Sequence, residues 1–211
     1  MTIFEHYQAR YEAAQEEEYS IAEFLEICKT DKSAYASAPE RLLMAIGEPH
    51  MVDTATDARL SRLFSNRVVA RYPAFADFYG MEDAIEQIVS YLKHAAQGLE
   101  ECKQVLYLLG PVGGGKSSIA EKLKYLMQEM PIYSIKGSPV NDHPLSLFDP
   151  IEDADVLSKE YGIKPRYLKT IMSPWAGKRL KEFNGDISQF RVVKRYPSIL
   201  NQIGIAKTEP G

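Results

Sequence analysis

Gly110-Pro-Val-Gly-Gly-Gly-Lys-Ser-Ser118 fits the pattern G-x-x-x-x-G-K-[ST], with Gly110, Gly115, Lys116 and Ser117 at its four fixed positions. Val105-Leu-Tyr-Leu-Leu109, just before it, is a short apolar run with the composition of a buried strand. After it, Ile119, Leu123, Leu126 and Met127 fall at helical spacing between Ser117 and Gln128. Strand, glycine loop and helix in that order predict a phosphate-binding loop. The plainer alternative is a glycine-rich turn with a solvated lysine, and the flanking pattern argues against it.

The residue types follow from the anion. Backbone N–H groups wrap a polyphosphate only where side chains are absent and torsions permissive, which Gly113, Gly114 and Gly115 supply. The helix that follows adds unsatisfied donors and partial positive charge at its N-terminus. Lys116 is then placed to bridge the β- and γ-phosphates of ATP, and the Ser117 hydroxyl to ligate Mg2+.

Composition sets the outer limits. The chain has 211 residues, 45% of them hydrophobic, with a net charge of −4 and a pI near 5.7. That is ordinary for one globular domain, or one with an extension, and carries no bias toward nucleic acid or anionic membrane. Cys28 and Cys102 show no metal-ligand spacing and read as reduced thiols of a cytoplasmic protein. The opening Met-Thr-Ile-Phe-Glu-His is no basic-then-apolar leader, and no apolar run approaches about 18 residues.

Residues 1 to 66 read as a helical N-terminal extension. Ile3 to Glu17 is compatible with one helix, and Glu16-Glu17-Glu18 with its solvated end. Ser20 with Glu23 forms a capping box ahead of Ile21, Phe24, Leu25 and Cys28; Ser37 with Glu40 repeats the device ahead of Leu42, Leu43 and Ile46, and Gly47 stops that helix. Arg67-Val-Val-Ala-Arg-Tyr-Pro73 returns downstream as Arg191-Val-Val-Lys-Arg-Tyr-Pro197. Two copies do not make a repeat architecture, and two edge strands ending at proline are favoured over a duplicated arginine contact site. Ile85, Ile88, Val89 and Leu92 then mark a one-sided helix over Met81 to Gln97.

Beyond the loop, Pro131 to Lys136 reads as a second strand, and Asn141-Asp142-His143 as a polar turn, not a metal or catalytic site. Helices are expected over Asp153 to Tyr161, ended by Gly162, over Pro165 to Met172, and from Ser173 through Trp175, Leu180 and Phe183, with a strand at Phe190 to Arg195. Lys164, Arg166, Lys169, Lys178, Arg179, Lys181, Arg191, Lys194 and Arg195 make this third basic. Either it is a solvated face balancing the acidic N-terminal segment, which is the favoured reading, or it holds a phosphate-bearing ligand, nucleic acid or an acidic subunit.

Hydrolysis needs an acidic group at the end of an apolar strand, and the nearby candidate is Leu145-Ser-Leu-Phe-Asp149. The expected architecture is therefore α/β: a P-loop NTPase core over residues 67 to 211, with a parallel sheet short of the usual strand number, and incomplete. No catalytic residue is assigned.

Several stretches together resemble a known family. Phe78-Tyr-Gly-Met-Glu-Asp-Ala-Ile-Glu-Gln-Ile-Val89, the glycine loop, Ser138-Pro-Val-Asn-Asp-His-Pro-Leu145, Tyr161 to Arg166 and Ser173-Pro-Trp175 are similar to the N-terminal AAA+ region of PrkA-type bacterial serine protein kinases. The resemblance implies an ATP- and Mg2+-binding module, with Gly110, Gly113, Gly114, Gly115, Lys116, Ser117 and Ser118 as ATP-binding residues and Ser117 as metal ligand. It also implies a kinase-like region farther along a longer chain that takes the protein substrate. Members have been regarded too as Lon-like ATP-dependent proteases. A homo-oligomer is compatible with this class; membrane and nucleic-acid partners are not expected.

Overall fold

A computed structural model of the chain describes residues 17–56, 61–62, 64–98, 103–111 and 113–197. These fall into two compact units. The first contains the described residues of 17–35 and 131–196, the second those of 36–130 and Pro197. The units therefore do not follow the expected boundary at residue 66. Glu17–Ser20 pairs with a strand near residue 195, and Ala38–Ile46 packs with the helices around the glycine loop.

In the first unit, β1 (Glu17–Ser20), β4 (Ile132–Ile135) and β5 (Arg191–Arg195) form a three-stranded sheet in the order β1-β5-β4. Both pairings are antiparallel, with Val193 opposite Glu18 on one side and Ser134 on the other. α1 (Ile21–Thr30) begins at the Ser20–Glu23 capping box, and α5 (Ala154–Tyr161) ends at Gly162 in the left-handed region. α6 (Pro174–Glu182) begins where the Ser173 hydroxyl accepts from Ala176 N–H. Phe24, Leu145, Ile163, Leu168, Ala176 and Val192 are fully buried in one shared core. Cys28 lies in it too, and burial pushes its thiol up to about 12.

Asp142 ties this unit together. Its carboxylate is buried and accepts from Ser138 Oγ at 2.8 Å, Ser173 Oγ at 2.6 Å and Ser173 N–H at 3.1 Å. His143 Nδ1 accepts from Leu145 N–H at 3.2 Å, and its other ring nitrogen lies 3.2 Å from the Ala34 carbonyl. The Asn141-Asp142-His143 trio is thus the structural turn that the sequence suggests.

In the second unit, β2 (His50–Asp53) and β3 (Val68–Arg71) make an antiparallel pair. α2 (Ala38–Ile46), α3 (Glu82–Ala96) and α4 (Lys116–Gln128) bury Ile46, Ile85, Ile88, Val89, Leu92, Ile119 and Leu126 together. The predicted stop of α2 holds, with Gly47 at φ +75°.

Several expectations are corrected. Val105 to Leu109 is not a strand; Val105, Tyr107 and Leu109 are 89%, 79% and 84% exposed, and only Leu108 packs on the core. An apolar parallel strand is stable only between neighbours, and among the described residues all strand pairing is antiparallel. Glu17 and Glu18 are not a helix end. They belong to β1, where Glu17 pairs with Lys194 at 3.0 Å and Glu18 with Lys136. Ile3 to Glu16 lies outside the described residues. Pro165 to Met172 is a single 3-10 turn over Pro165–Leu168. The repeated phrase forms a strand twice, yet β5 is the central strand of its sheet, not an edge. Its arginines also find different partners: Arg67 pairs with Asp83 and Arg71 with Glu82, whereas Arg195 donates to Asn141 Oδ1 at 3.2 Å.

Candidate functional site

The glycine loop enters from the exposed Val105–Leu109 segment and turns at Pro111, where Gly114 N–H donates to the Pro111 carbonyl at 3.2 Å. Gly113 and Gly115 sit at φ +81° and +72°, a region that L side chains disfavour, so glycine is required for this path. At Gly114 the constraint is space. A Cβ there would stand 3.1 Å from the Pro111 carbonyl oxygen, which is backbone and cannot yield. Gly110 opens the loop, with room for the Lys116 stem beside it.

Gly115 is the N-cap residue of α4 and has no side chain to cap it, so the helix begins without a side-chain hydrogen bond. Its first turn carries no acidic residue, and Ser117 and Ser118 are exposed there. The end of α4 therefore keeps its donors and positive dipole for an anion. Lys116 Nζ folds back over the loop and donates to the carbonyls of Gly110, at 2.7 Å, and Pro111. The seven loop residues expected from the sequence thus lie along one turn and the first turn of α4, with Lys116 bonded to the carbonyls of that turn.

Met81 is a neighbour that the pattern does not contain. Its Sδ would lie 2.7 Å from a Cβ on Gly115, so the start of α3 packs directly on the loop. The aromatic turn ahead of it is closed: Phe75 and Phe78 meet edge to face at 5.7 Å, and the cavity beside them, reaching Arg71 and Glu82, has about 10 Å3. That is room for one water and not for a nucleobase. Glu82 is 4% exposed and its carboxylate accepts no hydrogen bond, with Arg71 Nε at 3.7 Å as its charge partner.

The proposed hydrolytic strand is absent from its expected place. Pro144–Leu147 is a 3-10 turn, and Asp149 accepts from Ile151 N–H at 2.7 Å and Glu152 N–H at 3.0 Å. Those backbone donors hold its carboxyl below the usual range, as an exposed turn-forming aspartate. Among the described residues no group of three or more His, Cys, Asp or Glu side chains converges in a way that could hold a metal ion. No helix among them is long and apolar enough to cross a membrane.

A glycine loop running into an uncapped helix, with lysine at the first helical position, is the mark of the P-loop NTPase class. The PrkA AAA domain matches residues 19–211, and the chain belongs to that family. It is 73% identical over its whole length to the serine/threonine kinase YeaG of Escherichia coli K12, of which it covers 33%. It is also 30% identical over 92% of its length to the ATP-dependent protease PrkA of Bacillus subtilis, covering 30% of that protein. The chain thus spans about a third of the curated relatives it matches. No solved structure matches it.

Proposed function

We propose that this chain is the ATP-binding AAA+ segment of a PrkA-like serine/threonine protein kinase and binds Mg-ATP through residues Gly110 to Ser118. The observation that carries this reading is the loop itself, with Gly113 and Gly115 in the left-handed region and α4 beginning uncapped at Lys116. Gly113, Gly114 and Gly115 would offer backbone N–H groups to the phosphates. Lys116 would leave the two carbonyls for the β- and γ-phosphates, since a charge-assisted contact outcompetes one to a neutral carbonyl. Ser117 would ligate Mg2+, which neutralises phosphate charge, and Gly110 and Ser118 would complete the cradle.

A cytoplasmic setting fits the free, buried Cys28 thiol. The name of the Bacillus relative supports a second reading, a component of an ATP-dependent protease. Both readings share nucleotide binding, and protein substrate and self-association belong to the longer protein. The test is equilibrium binding of ATP, with and without Mg2+, to the chain and to Lys116→Ala. Binding lost in the variant is the expected result, and equal binding by both defeats the proposal. Turnover by this segment is expected to be weak and unchanged in Asp149→Asn; a collapse of turnover in that variant would reinstate Asp149 as the hydrolytic acid.

A further inference from the structure

The first unit holds a cavity of about 280 Å3 lined by aromatic rings and cations that the glycine loop does not use. Trp175, half-buried on α6, forms one wall. Gly137, in the turn after β4, lies so near that a Cβ on it would stand 3.5 Å from the indole. Phe183 and Phe190 close the floor, edge to face at 5.0 Å. Around them stand Lys136, Arg179 and Arg191.

Two of the three cations are held in ion pairs. Lys136 pairs with Glu18, and Arg179 pairs with Glu182 at 2.9 Å while its guanidinium sits 5.8 Å from the Trp175 ring centre. Arg191 is exposed and forms no direct ion pair among the described residues, its charge influence falling on the Glu23 carboxyl. The cavity therefore combines aromatic rings with a guanidinium held in no direct ion pair and, at Gln189, a side-chain amide that donates to Asp186 at 3.1 Å and keeps its carbonyl oxygen as an acceptor.

We infer that this cavity takes one nucleotide, its base against the aromatic wall and its phosphate on Arg191, either as a free nucleoside monophosphate or as a unit of a single strand. A bare anion would leave the rings unused, and an apolar ligand would bury Arg191 without a partner. Stacking on aromatic rings combined with a cation for the phosphate is the chemistry by which single nucleotides are held without a glycine loop. The volume lies at the small end of ligand cavities, which suits a monophosphate better than a triphosphate. This site is independent of the one proposed at Lys116.

Trp175 is the one tryptophan of the 211 residues, so its emission reports the cavity. The experiment titrates the chain carrying Lys116→Ala, which removes the glycine loop's contribution, with AMP, UMP and a single-stranded hexanucleotide. Saturable quenching is expected, weakened about tenfold by Arg191→Ala and less by Arg179→Ala, both exposed positions. AMP binding as tightly as the hexamer identifies the free nucleotide as the ligand. A tighter hexamer, whose log–log salt slope falls by about 0.7 in Arg191→Ala, identifies the strand. The inference is overturned by absence of saturable quenching, by quenching indifferent to both arginine variants, by a signal seen only with Lys116 intact, or by quenching with an acidic peptide alone.

Discussion

The unit around β5 and the unit around the glycine loop solve opposite problems. In the first, the sheet is sealed by a continuous core, the buried Asp142 carboxylate accepts three hydrogen bonds, and the edge glutamates pair with lysines. In the second, three helices pack well, yet the apolar run Val105 to Leu109 stays largely in solvent and the glycine loop meets its surroundings with backbone donors. Stability is concentrated where side chains satisfy one another.

Substitutions can break this contrast. Phe24→Ala, at a fully buried site of the first core, is expected to cost about 3–5 kcal/mol in a denaturant melt. Asp142→Ala strands Ser138 and both Ser173 donors and should cost roughly 2–3 kcal/mol, with Asp142→Asn recovering part. Gly115→Ala should cost only about 1–2 kcal/mol, because the left-handed backbone is strained while the Met81 side chain can swing aside. Its effect on ATP binding should be far larger than its effect on stability. Leu109→Lys should stay within about 0.5 kcal/mol; a loss above that would mean the segment is packed after all.

Protonation sharpens the same contrast. Hydrogen bonds from Tyr19 and then Lys194 hold the Glu17 carboxyl below its usual range, so its contribution is present above ordinary carboxylate pH and is lost as pH falls through its own lowered value. Glu17→Gln should flatten the acid limb of the stability profile. Cys28 behaves in the opposite sense. Its thiol is raised, so the folded state is favoured while it stays protonated and loses that advantage as pH rises from the ordinary thiol value toward about 12. In a Cys102→Ser background, Cys28 should resist thiol reagents at pH 8 until the fold is opened by denaturant.

Much of this was legible in the sequence because the signals are local. Both capping boxes, Gly47, Gly162 and the Ile85–Leu92 spacing fix helices through contacts within a few residues. The glycine loop was legible for the same reason, since its torsions and the helix that follows are set within a few residues. What was hidden depends on distant partners. β1 reads as a run of glutamates until Lys194 and Lys136 stand beside it, and β2 carries no alternation that would announce a strand. Val105 to Leu109 shows the reverse error: strand composition without neighbours gives no strand. Met81 was missed because its role is proximity to Gly115, to which spacing is blind.

The pairing of Glu17 with Lys194 spans 177 positions, whereas the three helices of the glycine-loop unit lie within 38–128. On a ribosome the two would not mature together. The loop unit can condense once its last helix has cleared the exit tunnel, while β1 waits, with its edge open, until β5 has been synthesised to receive it. Chaperone protection during translation would therefore be needed mainly for the unit that ends up the better sealed of the two.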